Sequence, residues 1–384
     1  MSCSLFLRSE HEELRRQVAR FVAAEIEPHA LAWDEAGSTP RELLRKMGAL
    51  GWLGLMHPAE HGGGGADMLT NVVWQEALSR STSGGAVITV LVHTDMASPH
   101  LVNAGTAEQK ARWLPAICRG ECITAVAVTE PDAGSDVAAI RTRAVRDGDH
   151  YVLDGSKIFI TNGVLADLVF VAARTDPQAK GSRGISIFAV ERGTPGFRVG
   201  RALNKQGWLA SDTAELVFDH CRVPAANRVG EENAGFYAIM RNFQVERIAL
   251  GSMAIGHCLT ALDLTYRYVN ERRAFGATLW DKQTIRQTLS MLAARVEAAR
   301  ALLYQCALQV DAGQDVVREV SMLKALTGEL VNDVTYACQQ FHGGMGYMRE
   351  TPIERLVRDA RVLAIGGGAT EVMLEEVAKR FAVQ

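Results

Sequence analysis

"ECITAVAVTEPDAGSD", residues 121–136, is where the chain changes its period. Upstream, from Glu10 to about Gly120, "EELRRQVARFVAAEIEPHALAWDE" and "RELLRKMGALGW" repeat apolar residues at three and four with charges between, the pattern of amphipathic helices. "PAEHGGGGAD", residues 58–67, breaks that block with a loop. From Glu121 onward the runs are short and β-branched or aromatic. "HYVLDGSKIFITNG", "ADLVFVAART", "RGISIFAVERG" and "TAELVFDHCRVP" are separated by Gly, Pro, Asp and Asn, and predict an antiparallel sheet ending near Pro224. From about Gly235 the helical period returns in "GFYAIMRNFQVERIALGSMAIGHCLTALDLTYRYVNERR" and "QTIRQTLSMLAARVEAARALLYQCALQV", long enough for a bundle. The fold class is therefore α+β multidomain. It comprises an N-terminal α-helical domain (1–120), a middle antiparallel β domain (121–230) and a C-terminal four-helix-bundle domain (231–384). Strands do not alternate with crossover helices and no GxGxxG follows a strand, which argues against a Rossmann nicotinamide domain.

The 384 residues carry 41 basic and 44 acidic side chains, a formal charge of -3. A nucleic-acid or membrane-surface protein needs a basic excess on some face, so no nucleic-acid partner is expected. Seven cysteines, at 3, 118, 122, 221, 258, 306 and 338, form neither a CxxC pair nor a zinc spacing, and read as reduced thiols with no metal. "MSCSLFLRSEHEELRRQ" does not read as a signal peptide. No stretch approaches the ~18 uninterrupted apolar residues of a membrane span. The expectation is a soluble, cytoplasmic, bacterial-type protein.

Four stretches could carry chemistry. "VAVTEPDAGSD", 126–136, is a strand running into a turn, either an ordinary β-turn or one whose N–H groups and Ser135 hydroxyl face an anionic or heteroaromatic ligand. "KIFITNG", 157–163, places Phe159 beside Thr161 and Asn162. "NERRAFG", 270–276, puts Arg272 and Arg273 at a helix C-terminus, explained by the helix dipole or as a phosphate clamp. "QQFHGGMGYMRE", 339–350, is a helix C-cap or a place where backbone approaches a ligand closely.

In this order and at these separations, in an α-β-α chain, the four stretches resemble the acyl-CoA dehydrogenase family of flavoenzymes, from about residue 5 to the C-terminus. The closest likeness is to the long-chain and isovaleryl branch. The resemblance implies FAD as cofactor. Val126, Val128, Thr129, Gly134, Ser135, Phe159, Ile160 and Thr161 would hold its ring, with Ser135 also near the acyl-CoA. Arg272, Phe275 and Gln283 would reach the FAD of a neighbouring subunit, and Gln340, Gly343 and Gly344 would lie against it across the interface. Phe159 stands where many relatives have tryptophan, which keeps an aromatic plane and drops the indole N–H. The implied assembly is a homotetramer, a dimer of dimers, with electron transfer flavoprotein as acceptor.

The reaction implied is α,β-desaturation of a thioester: a base removes the α proton while hydride leaves the β carbon for flavin N5. In the medium- and short-chain branches the base is the glutamate of an Ile-Tyr-Glu-Gly-Thr loop. The matching residues here are Ile365, Gly366, Gly367, Gly368 and Ala369, so that carboxylate is absent. "MRNFQVERIALGSM", 240–253, supplies a substitute. Glu246 shares a helix face with Ile239, Phe243, Leu250 and Met253, where a carboxylate is costly unless it is paired or used. From the pattern alone a salt bridge to a neighbouring helix explains Glu246 equally well. The resemblance favours a base, because in the long-chain and isovaleryl branch the base sits on this helix immediately before an arginine, as Glu246 precedes Arg247. Substrate contacts are expected from Ser135, Gln244, Arg247, Gly367 and Gly368, and loss of a side chain at 367 fits a longer or branched acyl chain. Gly251, Ser252, Ala254 and Gly256 suggest close helix packing. Thr370 and Glu371 read as N-cap and first-turn residues of the closing helix, beside the cofactor. Competing readings are an acyl-CoA oxidase, a dehydrogenase of acyl-carrier-protein thioesters, and a noncatalytic assembly subunit.

Overall fold

The computed structural model describes residues 6–381. Seven α-helices come first: α1 (Ser9–Phe21), α2 (Ala30–Ala36), α3 (Arg41–Ala49), α4 (Met68–Leu78), α5 (Gly84–Leu91), α6 (Pro99–Ala104) and α7 (Ala107–Cys118). α1 and the chain after it turn Val18, Val22 and Ile26 inward. Every residue of α5 and ten of the eleven in α4 are buried; α5 is apolar but for Thr89, whereas α4 also buries Asn71, Gln75 and Glu76.

Eight strands follow: β1 (Thr124–Ala127), β2 (Arg143–Asp147), β3 (His150–Thr161), β4 (Leu168–Arg174), β5 (Ile185–Glu191), β6 (Phe197–Ala202), β7 (Thr213–Pro224) and β8 (Arg228–Val229). They form one sheet in the order β6-β7-β3-β2-β4-β5-β8, with β1 beside β4. Most neighbours are antiparallel, as expected, but β1 and β2 both run parallel to β4. β3 loses register with β7 between Lys157 and Ile160, and this irregularity holds Phe159 at φ 60.

The last third is helical: α8 (Gly235–Glu271), α9 (Gln283–Asp311) and α10 (Val317–His342) are long, and α11 (Pro352–Ala360) and α12 (Thr370–Ala378) pack on α10. α8 alone among the described residues is long and apolar enough on average to cross a bilayer, though polar residues interrupt it; 78% of its apolar window is buried inside the protein, as in a core helix. Its small residues serve packing. A Cβ at Gly251 would stand 3.1 Å from Leu323, and one at Gly256 would stand 2.5 Å from Ser79. One capping assignment needs correction: the N-cap of α12 is Ala369, and Thr370 is its first helical residue. The Thr370 hydroxyl donates to the Glu329 carboxylate at 2.7 Å, so its hydrogen bond goes to α10 and not to its own helix. The six described cysteines are unpaired; Cys3 lies outside the described residues.

Candidate active site

The turn after β1 is built on a buried ion pair. Lys157, fully buried on β3, donates to Glu130 Oε1 and to the Val128 carbonyl, each at 2.8 Å. Glu130 also accepts from the backbone N–H groups of Arg141 (2.6 Å) and Thr142 (2.9 Å). Burial works to raise the Glu130 carboxyl, but Lys157 and these hydrogen bonds outweigh it and leave it below the ordinary range. Lys157 is the more deeply buried partner, and burial pulls its ammonium down to about 8 despite Glu130. The Ile158 N–H donates to the Thr129 carbonyl at 3.0 Å, joining this turn to the irregular stretch of β3.

On that support sits an open aromatic shelf. Phe159 is 65% exposed in the left-handed region, where a bulky side chain is disfavoured and persists only when its surroundings impose it. Gly134 has no atom within 4 Å of where a Cβ would stand, and Ser135 is exposed. Val128 and Ile160 send their side chains into the core, so at these positions only backbone faces outward. Val126, Thr129 and Thr161 are half-buried along the same two strands and turn.

Glu246 lies half-buried on α8, with Ile239, Leu250 and Met253 buried and Phe243 half-buried on its face. The expected alternative of a salt bridge is not formed: among the described residues Glu246 has no hydrogen-bond or ion-pair partner. Burial raises its carboxyl to about 7, with Arg247 and Lys324 pulling the other way. Gly367, at φ 65, lies directly over it. A Cβ there would fall 3.4 Å from Glu246 Oε1 and 2.2 Å from Leu250 Cδ1. Two positions 121 residues apart in sequence thus share one place. At the Cβ position itself, the tip of the Leu250 side chain occupies the space.

Gly368, at φ 103, faces Met373 and Arg247. The Arg247 guanidinium stands 5.7 Å from the Phe243 ring centre, and its Nε is buried without a hydrogen-bond partner. Gln244 is half-buried nearby on α8, and Glu371 is exposed in the first turn of α12.

The remaining predicted residues gather elsewhere. Arg272 caps α8, Phe275 follows at 97% exposure, and Gln283 opens α9; Gln340, Gly343 and Gly344 close α10, all exposed. Tyr268 stacks on His342 at 4.4 Å between ring centres and donates to its carbonyl, which joins these ends into one surface. Gly343, at φ 58, is the C-cap of α10, so the capping reading of that glycine holds. At about 1.5 Å per residue, this surface lies about 40 Å along α8 from Glu246. The structure therefore sets these six residues well apart from Glu246.

Reasoning from sequence missed Glu130, Lys157 and Lys324. The signal was available for Lys324, which interrupts the apolar run of "SMLKAL", where a lysine is rarely buried without a partner; Lys157 follows "LDGS" and carries no such mark.

The fold is that of a flavin-dependent oxidoreductase. Three family profiles cover nearly the whole chain: acyl-CoA dehydrogenase N-terminal domain over residues 8–121, middle domain over 125–221 and C-terminal domain over 233–382. The chain belongs to the acyl-CoA dehydrogenase family. It is 42% identical to the mitochondrial long-chain specific acyl-CoA dehydrogenase of Mus musculus over 97% of this chain and 86% of that one. It is 38% identical to the acryloyl-CoA reductase (NADH) of Anaerotignum propionicum, over 97% and 96%. The crystal structure of an acyl-CoA dehydrogenase from Geobacillus kaustophilus superposes with a TM-score of 0.95 at 41% identity, covering 99% of this chain and all of that one. The family is FAD-dependent, and the shelf suits a flavin: an exposed ring held in a strained conformation, a glycine with open space at its Cβ, and outward backbone from two adjoining segments.

Proposed function

We propose that the chain dehydrogenates a long-chain or branched acyl-CoA thioester to the trans-2-enoyl-CoA, with Glu246 as the base. One observation carries the reading: Glu246 is a carboxylate without a partner, raised to about 7, at the spot where the C-terminal loop passes over α8. A base near neutrality can hold the α proton it removes and release it again between turnovers. FAD, when bound along Phe159, Thr161 and the 126–135 turn, supplies the acceptor for the β hydride. Glu246 takes the α proton, Leu250 and Met253 keep water from its carboxylate, and Arg247 provides a positive charge beside it.

Acyl-CoA as substrate and a preference for longer chains are supported by the mouse relative's name. Membership of the family supports electron transfer flavoprotein as the acceptor. The 40 Å between Glu246 and Arg272 supports a shared cofactor, since no dinucleotide spans that distance within one subunit. Arg272, Phe275, Gln283, Gln340, Gly343 and Gly344 then serve the FAD of a neighbour in a homotetramer.

The test is Glu246→Gln in the flavin-loaded protein, assayed on a panel of acyl-CoA chain lengths with electron transfer flavoprotein or a dye. Retained flavin with lost turnover supports the reading; near-normal turnover overturns the base. Reoxidation by air as fast as by the flavoprotein would make the chain an oxidase. Reduction of a short 2-enoyl-CoA in preference to acyl-CoA oxidation would reverse the proposed direction.

A further inference from the structure

The Lys324 side chain, 1% exposed on α10, ends at the glycine loop. Its Nζ donates to the Leu363 carbonyl at 2.7 Å and to the Gly368 carbonyl at 2.9 Å, on either side of Gly367. Gly367 in turn is the residue lying over Glu246 and Leu250. Two further α10 groups hold the same stretch: Glu329 accepts from Thr370, and Asn332 donates to the Ala360 carbonyl at 3.3 Å. Gly328 lets the backbones close up, since a Cβ there would stand 2.8 Å from the Leu363 oxygen.

We propose that Lys324 is a positioning residue for the base: by holding the Leu363 and Gly368 carbonyls it seats the glycine loop on Glu246 and fixes a positive charge beside that carboxylate. The proposal rests on Glu246 being the base. Its chemistry follows from burial. An ammonium with hydrogen bonds only to neutral carbonyls keeps its full charge available to a nearby anion, so it favours ionised Glu246 without quenching it in a direct pair. Burial brings Lys324 itself down to about 8, with Glu246 working to raise it, so lysine and glutamate are charged together around neutral pH. The other charges here are Arg247 on α8, Glu329 acting on Lys324, and Glu376 and Arg380 acting on Arg247 from α12 and just beyond it. Farther along α8, the nearby carboxylates are already engaged: Asp95 by Asn71 and Gln75, Glu76 by Arg300 and Tyr304, and Asp359 by the N–H groups of Gly84 and Trp208.

The experiment compares Lys324→Met, Lys324→Gln and Lys324→Arg with Glu246→Gln, all full-length and flavin-loaded. Flavin content, the pH dependence of kcat/KM and hydrogen exchange of amides 365–369 are measured for each. The methionine and glutamine variants are expected to retain flavin, to exchange faster in the loop, and to move the acid limb of kcat/KM upward by about one pH unit, a tenfold change in the base's ionisation. The arginine variant, which keeps the charge, restores the limb. Should the methionine variant lose its flavin, glutamine and arginine carry the comparison. Unchanged limb and loop exchange in Lys324→Gln, alongside an inactive Glu246→Gln, overturns the lysine's role and leaves the base standing. Near-normal turnover of Glu246→Gln overturns both.

Discussion

Two glutamates in this chain each have a buried lysine for a neighbour, and they reach opposite states. Glu130 meets Lys157 at 2.8 Å and accepts two backbone N–H bonds besides; its charge is fully solvated by protein and its carboxyl sits below the usual range. Glu246 accepts no hydrogen bond among the described residues, while Lys324 directs its protons to two carbonyls, and its carboxyl rises to about 7. Both lysines are brought to about 8 by burial. The difference therefore lies in where the hydrogen bonds go: a buried carboxylate that receives them is fixed as an anion and builds structure, and one denied them stays ready to change protonation.

The sharpest way to break the comparison is to remove each carboxylate charge. Glu246→Gln is expected to lower kcat by about 10²–10⁴-fold, the range of a general base, with flavin content unchanged. Glu130→Gln should act through folding and flavin retention, and should leave the pH profile of the surviving holoenzyme in place. If the two variants gave the same phenotype, the contrast would collapse.

Next in size is the cation of the structural pair. Lys157→Met leaves Glu130 buried without its counter-charge, and removing one partner of a buried pair costs about 3–5 kcal/mol. Denaturant unfolding of the purified protein measures this, with loss of flavin accompanying it because the turn under the shelf is released. A cost below about 1 kcal/mol would show that the two backbone N–H groups alone suffice.

The two carboxylates should also respond to pH with opposite sign. Glu246 rises from an ordinary 4.5 to about 7 on folding, so the folded chain holds this proton more tightly. The resulting stability is complete below about pH 4.5 and is lost as pH rises through 7. Glu246→Gln cannot ionise, and is expected to exceed the wild type in stability at pH 8 by about 1–3 kcal/mol, with the gap closing near pH 5. Glu130 is lowered on folding, so its contribution is present above pH 4.5 and is lost as pH falls through its folded value. Glu130→Gln should then be the less stable protein at pH 7, with the gap closing in acid. Thermal melts of both variants against pH separate the two signs.

How far such features are legible in sequence depends on whether they are local. The helix-sheet-helix plan shows because burial of one face imposes a period on each segment. Glu246 shows for the same reason, as a carboxylate on an apolar stripe. The missing carboxylate at Gly367 could be read from the resemblance, but not Leu250 taking its place, because α8 meets the loop only in three dimensions. Nor does anything in "TAVA" distinguish the parallel pairing of β1 from an antiparallel one, since a strand buried on both faces lacks alternation. Thr370 was misplaced because its residue type permits capping, while its hydroxyl finds a better acceptor on α10.

Phe159 is the feature least visible in "KIFITNG", and it gives the smallest of these effects. A loss of register in β3 carries it into the left-handed region with its ring outward, two residues after Lys157, whose side chain points inward. The structural pair thus holds the aromatic shelf in place. Phe159→Ala should weaken FAD binding by about 0.5–1.5 kcal/mol, the worth of one aromatic contact beyond its area, or roughly 2–10-fold in affinity by flavin fluorescence. The acid limb set by Glu246 should not move. Phe159→Trp restores an aromatic plane in the same backbone conformation and should recover the affinity. If Phe159→Ala shifted the pH limb instead, the shelf and the base would be one coupled unit, and the separation of structural from chemical carboxylate would have to be redrawn with Phe159 on the chemical side.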